Sequence, residues 1–281
     1  MTVTALRNTN NGSFLPAEHL EFVRNTQRNA AFKAAFERLA AGKTVLDVGT
    51  GSGILAIYAA RAGAKQVIAV EKDKAMAKIA QANFERNGLN NRIKLIVADA
   101  FDLRRSDLQH VDMLVGEMLS TWCVIESQVQ VFKHLINITG ASVTMPRRVI
   151  NYAEGVHAVF GDAERLVVIP TTYFEFEATR PKAEKMTIRR KASEIILSSD
   201  AEFDPVISIS LRVLRTGVIN AMRLTSITEV CEGITFNPRD DTMPRMIVPL
   251  PREIAVTAGQ MVNLTIRYTY AAGWDKFIID V

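Results

Sequence analysis

The chain has 281 residues, more than one compact core usually holds, and 48% of them are hydrophobic, so two well-packed domains are expected. Its 34 basic and 30 acidic residues leave a net charge of +4, too mild to argue for nucleic acid as a partner. Cys123 and Cys231 are the only cysteines, which excludes a disulfide framework and a cysteine zinc site and fits a reducing compartment. The opening "MTVTALRNTNNGSFLP" is polar and lacks an apolar signal core, and no apolar run reaches membrane-spanning length; the expectation is a cytoplasmic protein.

The first half alternates helix and strand signals. "EHLEFVRNTQRNAAFKAAFERLA" places Leu20, Val23, Ala31, Phe32, Ala35, Phe36 and Leu39 on one broad helical face, and Gly42 ends that helix. "TVLDVG" reads as a strand, "GILAIYAARAG" as a helix and "QVIAVEKD" as a second strand. "AMAKIAQANFERNG" is a helix closed by Gly88, "IKLIVADA" a third strand and "VDMLVGE" a fourth. Such alternation predicts βαβ units and a parallel sheet. Near Met145 the pattern changes. "INYAEGVHAVF", "VISISLRVL", "AMRLTSITEV", "RMIVPL" and "MVNLTIRYTY" are rich in Val, Ile and Thr and lack helical period, which predicts an antiparallel β domain over 146–281 behind an α/β domain over 1–145. The span 161–204 is less regular and holds the basic run "RPKAEKMTIRRK", expected as a solvated short arm.

"VLDVGTGSGIL" puts Gly49, Gly51 and Gly53 between a strand and a helix, where glycine lets backbone turn sharply and approach a ligand. Glu71, followed by Lys72, ends the next strand twenty residues after Gly51 and can accept from two ribose hydroxyls. That spacing also suits a dinucleotide, so an oxidoreductase is the first rival. S-adenosylmethionine is favoured by three details. Asp47 precedes the first glycine by two residues; Asp99, followed by Ala100, closes the third strand where it can accept from an adenine amino group; and Ile54 stands where the dinucleotide fingerprint needs a third glycine.

"GEMLSTWCVIES" then sets Glu117 and Glu126 nine residues apart with nothing charged between them. With this stretch the run from Glu18 to about Gly140, and more loosely the whole chain, resembles the protein arginine methyltransferases, class I enzymes dependent on S-adenosylmethionine. In that family a "double-E" loop follows the fourth strand, its second glutamate opening a helix. The family also carries a histidine and, nine residues later, an arginine that holds the cofactor carboxylate, matched here by His19 and Arg28. The resemblance implies a Rossmann-like domain followed by a β-barrel-like domain, head-to-tail homodimers built through an arm, and S-adenosylhomocysteine as the product. It implies that Glu117 and Glu126 hold a guanidino acceptor, Glu117 also bordering the cofactor, with Phe22 and Trp122 as either walls of the acceptor pocket or core residues. A guanidinium's fixed fork of N–H groups suits paired carboxylates.

Three departures accompany the match. The family's cofactor-covering tyrosine segment reads "NNGSFLP", where only Phe14 remains for a lid. The Thr-His-Trp loop aligns with Thr242, Met243 and Pro244, and the aspartate that usually pairs with its histidine is Asn25. Two halves of a polar pair missing together suggest a redesigned pocket, since a lone survivor would be stranded. Free arginine or another small guanidino compound is therefore the preferred acceptor, with protein-borne arginine or a non-guanidino natural product as alternatives. A non-catalytic cofactor-binding scaffold is a third class.

Overall fold

The computed structural model describes residues 16–108, 110–162, 164, 166–237 and 243–281; the lid candidate Phe14 and Thr242 lie outside them. Among the described residues no helix is long and apolar enough to cross a membrane. The chain divides into two compact units. One takes the described residues up to Glu117 with Val131–Arg147 and Val230–Phe236; the other takes Met118–Gln130, Arg148–Glu229 and, from Asn237 on, the remaining described residues.

The first unit opens with α1 (Pro16–Arg24) and α2 (Thr26–Leu39). A single helix was expected here. The chain breaks it at Asn25, whose backbone is extended and whose side chain accepts from the Arg28 amide at 2.9 Å. Asparagine competes for backbone donors in this way and so favours an N-cap over a helix interior. The break rotates α1 out of register: Leu20 and Val23 are exposed, whereas Ala31, Phe32, Ala35 and Phe36 of α2 are buried.

The unit then alternates β1 (Thr44–Val48), α3 (Ile54–Arg61), β2 (Gln66–Glu71), α4 (Lys74–Arg86), β3 (Ile93–Val97), β4 (Met113–Val115), α5 (Gln128–Thr139) and β5 (Val143–Met145). The strands form one parallel sheet in the order β3-β2-β1-β4-β5. This is the Rossmann-like arrangement the alternation predicted, and β1, buried along its whole length, is its centre. The order reverses between β1 and β4, and α/β sheets bind ligands outside the carboxyl ends of the strands at such a point.

The second unit is antiparallel and barrel-like, as expected. Its strands are β6 (Arg148–His157), β7 (Tyr173–Glu175), β8 (Glu184–Lys185), β9 (Arg190–Ile196), β10 (Val206–Arg212), β11 (Gly217–Cys231), β13 (Arg245–Val256), β14 (Met261–Arg267) and β15 (Ile278–Asp280). β12 (Ile234–Phe236) and the end of β11 group with the first unit, where the Phe236 ring lies 5.9 Å from that of Phe32. One sheet runs β7-β13-β11-β6-β8 and another β10-β14-β15. β10 shows the period-two logic of a half-buried strand: Ile207, Ile209 and Leu211 point inward while Ser208, Ser210 and Arg212 face water.

The basic run keeps most of its charged side chains exposed, as expected, but its backbone is built into this unit through β8 and β9, which pair with β6. Ala183, Met186 and Thr187 are buried, Lys185 pairs with Glu154 at 3.6 Å, and the Arg189 guanidinium lies over the Tyr152 ring at 4.7 Å. The turn around 160–169 projects consecutive apolar groups: Leu166, Val167, Val168 and Ile169 are all exposed, on a short hairpin closed by Ile169 N donating to Phe160 O at 2.7 Å. Inside the unit, Arg223 is buried between Glu154 (2.8 Å) and Glu175 (2.9 Å) and donates to Ala183 O. Deleting one member of a buried ion cluster strands the others, so Arg223→Ala should lower the unfolding free energy by about 3–5 kcal/mol, read from urea denaturation.

Candidate active site

The glycine loop leaves β1 and enters α3 with Gly49, Gly51 and Gly53 all at positive φ (67°, 55° and 84°). Two of them also have no room for a side chain. A Cβ on Gly51 would stand 2.9 Å from the His19 ring, and one on Gly53 would stand 2.5 Å from the Phe84 ring. The loop is held from β2: the Gly51 amide donates to Glu71 Oε2 at 2.8 Å, and Thr50 N donates to Val70 O at 2.9 Å. Glu71 is buried, and its other oxygen accepts from Asp73 N at 2.9 Å. Lys72 points outward.

Asp47 is fully buried at the end of β1. Thr50 Oγ1 donates to its Oδ2 at 2.5 Å, while Oδ1 has no hydrogen bond among the described residues. Burial pushes its pKa up to about 7, against the pull of the Thr50 hydroxyl, of the nearby Ala56 amide and of the Arg28 charge. A buried carboxylate oxygen left open beside three glycines is what an ammonium-bearing ligand would complete. The residues therefore fit the amino-acid end of S-adenosylmethionine.

Arg28 and Glu117 form a buried pair. The guanidinium donates from Nε to Glu117 Oε2 at 2.7 Å, and both side chains are 5% exposed. Asn29, which the sequence did not single out, orients the arginine by accepting from Nη1 at 2.9 Å, and its amide is tied to Val23 O at 2.7 Å. Phe32 lies under the guanidinium at 5.3 Å. His19 lies against Gly51 and stands edge-on to Phe22, with ring centres 5.9 Å apart. Phe22 is half-buried.

On β3's far side, Asp99 accepts from Phe101 N at 3.0 Å and caps the turn Ala100–Asp102. Phe101 is half-exposed, its ring 5.7 Å from that of His134 on α5. The first unit thus gathers His19, Arg28, Asp47, the glycines, Glu71, Asp99 and Glu117.

Glu126 belongs to the second unit. It is half-buried, and its amide donates to Ser120 Oγ at 3.2 Å. It does not open the helix: α5 begins two residues later, at Gln128, whose side chain accepts from Met118 N at 2.7 Å. Of the two readings of Trp122, the structure favours core over pocket wall. The residue is 0% exposed, with Tyr268 and Phe277 rings at 6.0 and 5.7 Å and Nε1 donating to Thr225 O at 3.2 Å. A large ring with one donor is most stable where apolar area and a carbonyl are both at hand. Met243 and Pro244 are buried as well, and Pro244 O accepts from Thr121 Oγ1 at 2.7 Å.

Residues 30–144 match the methyltransferase family described as ribosomal protein L11 methyltransferase (PrmA). The arginine N(omega)-methyltransferase of Streptomyces achromogenes subsp. streptozoticus is 26% identical over 95% of this chain and 78% of its own length. Protein arginine N-methyltransferase 7 of Drosophila grimshawi is 32% identical over 49% of this chain, which spans only 21% of that longer relative. The solved Trypanosoma brucei PRMT1 enzyme–prozyme heterotetrameric complex with AdoHcy superposes with a TM-score of 0.76 at 18% identity, covering 91% of this chain and 89% of that one. Over residues 30–144 the chain carries a methyltransferase domain, and it is similar to enzymes named arginine methyltransferases. The fold shared with the Trypanosoma brucei complex is mixed α/β, with a parallel sheet and a curled antiparallel one. Both sheets are present here, and the methyltransferase match over residues 30–144 sets aside the dinucleotide reading of the glycine loop.

Proposed function

We propose that this arginine methyltransferase homologue transfers a methyl group from S-adenosylmethionine to a guanidino nitrogen of free arginine or another small guanidino compound. The observation that carries the guanidino reading is the Arg28–Glu117 pair. This carboxylate already accepts from one guanidinium through Oε2, and the described hydrogen bonds leave Oε1 for a second. The small acceptor is supported by buried Met243 and Pro244 where the family's loop carries histidine and tryptophan. A second support is the match, over 95% of this chain and 78% of the relative, to a Streptomyces enzyme whose name gives arginine and not protein arginine.

The cofactor supplies an electrophilic methyl on a sulfonium and leaves as S-adenosylhomocysteine. Arg28 takes its carboxylate, Asp47 its ammonium, Glu71 the ribose hydroxyls and Asp99 the adenine amino group; His19, Lys72, Ala100 and the glycines complete that surface. Glu117 and Glu126 hold the acceptor's planar cation and orient one nitrogen, and orientation of this kind supplies up to about 7–11 kcal/mol in favourable cases. Their charge also opposes delocalisation away from the attacking nitrogen. Asn25 caps α2 and has no aspartate's role to play, so the methylated guanidinium gives its proton to Glu126 or to water.

The same reading places the protein in the cytoplasm and makes it a homodimer, with exposed Leu166–Ile169 as the surface for a second copy. Product mass spectrometry after side-by-side incubation with free arginine and an arginine-rich peptide tests the acceptor. One added methyl on the amino acid and none on the peptide is the expected result. Methylation of the peptide alone moves the assignment to protein-borne arginine, and cofactor binding with no turnover on either favours a scaffold.

A further inference from the structure

The segment between the two glutamates contains consecutive non-glycine residues in the left-handed region, Trp122 at φ 59° and Cys123 at φ 53°. L-residues disfavour this conformation, and it persists only where surrounding contacts over-determine it. Here the contacts come from β11 and from the segment beyond β14. The Trp122 amide donates to Ser226 Oγ at 3.0 Å, and Tyr268 Oη donates to Trp122 O at 3.1 Å. Ser226 is itself oriented: its hydroxyl proton goes to Asn151 Oδ1 at 2.8 Å, which leaves its lone pairs for Trp122. The next two carbonyls, of Cys123 and Val124, accept from Ala271 N (3.0 Å) and Gly273 N (2.9 Å).

The turn is rigidly joined to Glu126. Cys123 N donates to Ser120 O at 2.8 Å, and Ser120 Oγ accepts from both Ile125 N (3.0 Å) and Glu126 N (3.2 Å). We infer that Ser226 and Tyr268 are positioning residues for the reaction: by gripping Trp122 through its N–H and its C=O they hold the left-handed turn, and through Ser120 they set where Glu126 stands. The inference rests on Glu126 acting on the acceptor. Burial raises the Tyr268 pKa well above the usual phenol value, so its hydroxyl stays a donor throughout the working range.

The test is a kinetic comparison of Ser226→Ala, Ser226→Thr and Tyr268→Phe with Thr228→Val. Thr228 lies two residues further along β11, fully buried, with a hydroxyl that makes no hydrogen bond among the described residues. A reacting group displaced by about 1 Å can cost about a hundredfold, so Ser226→Ala and Tyr268→Phe are each expected to lower kcat about tenfold. S-adenosylhomocysteine affinity should be unchanged, Ser226→Thr should recover activity, and Thr228→Val should match the unmodified protein. Tyr268→Phe keeps the ring and its packing, so it reports even if Ser226→Ala folds poorly. Unchanged kcat in Ser226→Ala and Tyr268→Phe, or an equal loss in Thr228→Val, overturns the inference. Glu126→Gln run alongside separates the two readings: full activity there removes the clamp and this inference with it. An inactive Glu126→Gln beside a fully active Ser226→Ala removes only the positioning role.

Discussion

Glu126→Gln is expected to lower kcat on the guanidino acceptor about a hundredfold or more while S-adenosylhomocysteine still binds with unchanged affinity. The magnitude follows from removing one preorganised charged contact from a reacting centre, typically about 2.7–4 kcal/mol. The selectivity follows from the pairing of Arg28, which donates to Glu117 and Asn29, while the Glu126 amide is held by Ser120. Glu117→Gln should behave differently, because Glu117 is the buried partner of Arg28. Glutamine keeps an acceptor for Nε but not the charge. The variant should therefore lose turnover, weaken cofactor binding by disturbing Arg28, and lose about 3 kcal/mol of stability, the low end for breaking a buried pair. Calorimetric titration of S-adenosylhomocysteine beside urea unfolding distinguishes the two. Two variants alike in every readout would refute the division of labour, and retained activity in both on a non-guanidino acceptor would refute the clamp itself.

The buried pairing of Glu117 with Arg28 was not legible in the sequence, although the resemblance already sets Glu117, unlike Glu126, beside the cofactor as well as the acceptor. What was legible is local. The strand–glycine–helix run from Thr44 to Arg61, the acid ending β2 and the acid following β3 are fixed by short-range periodicity and by conformations only glycine adopts easily, and all stand where expected. The break at Asn25 was missed because apolar spacing reads straight through "RNTQR", while the deciding bond is a side chain's own competition for a backbone amide. The surroundings of Trp122 and the grip of Ser226 and Tyr268 were invisible for another reason. Their partners lie more than a hundred residues away and are chemically ordinary serines, tyrosines and carbonyls. The basic run at 180–191 keeps most of its charged side chains in solvent, as its composition suggested, while Ala183, Met186 and Thr187 between them pack inward, a placement composition does not show.

Asp47 supplies the second large effect. Its folded pKa of about 7 lies some three units above the ordinary 3.8, because burial penalises the carboxylate. Between those values the folded chain holds a proton that the unfolded chain has released. The group's contribution to stability therefore falls as pH rises from about 4 to about 7, and above that the buried charge costs up to about 4 kcal/mol. Asp47→Asn removes that cost, so the unliganded variant should be more stable than the natural protein at about pH 8 and equally stable at about pH 4. Binding should show the opposite sign. An ammonium partner favours the ionised carboxylate, so S-adenosylhomocysteine affinity should rise about tenfold per pH unit up to about pH 7 and then level. Asp47→Asn should bind weakly with no such rise. The buried carboxylate would then be a destabilising charge retained for the ligand that neutralises it. A pH profile for Asp47→Asn parallel to that of the natural protein would assign the dependence to another group and refute this account.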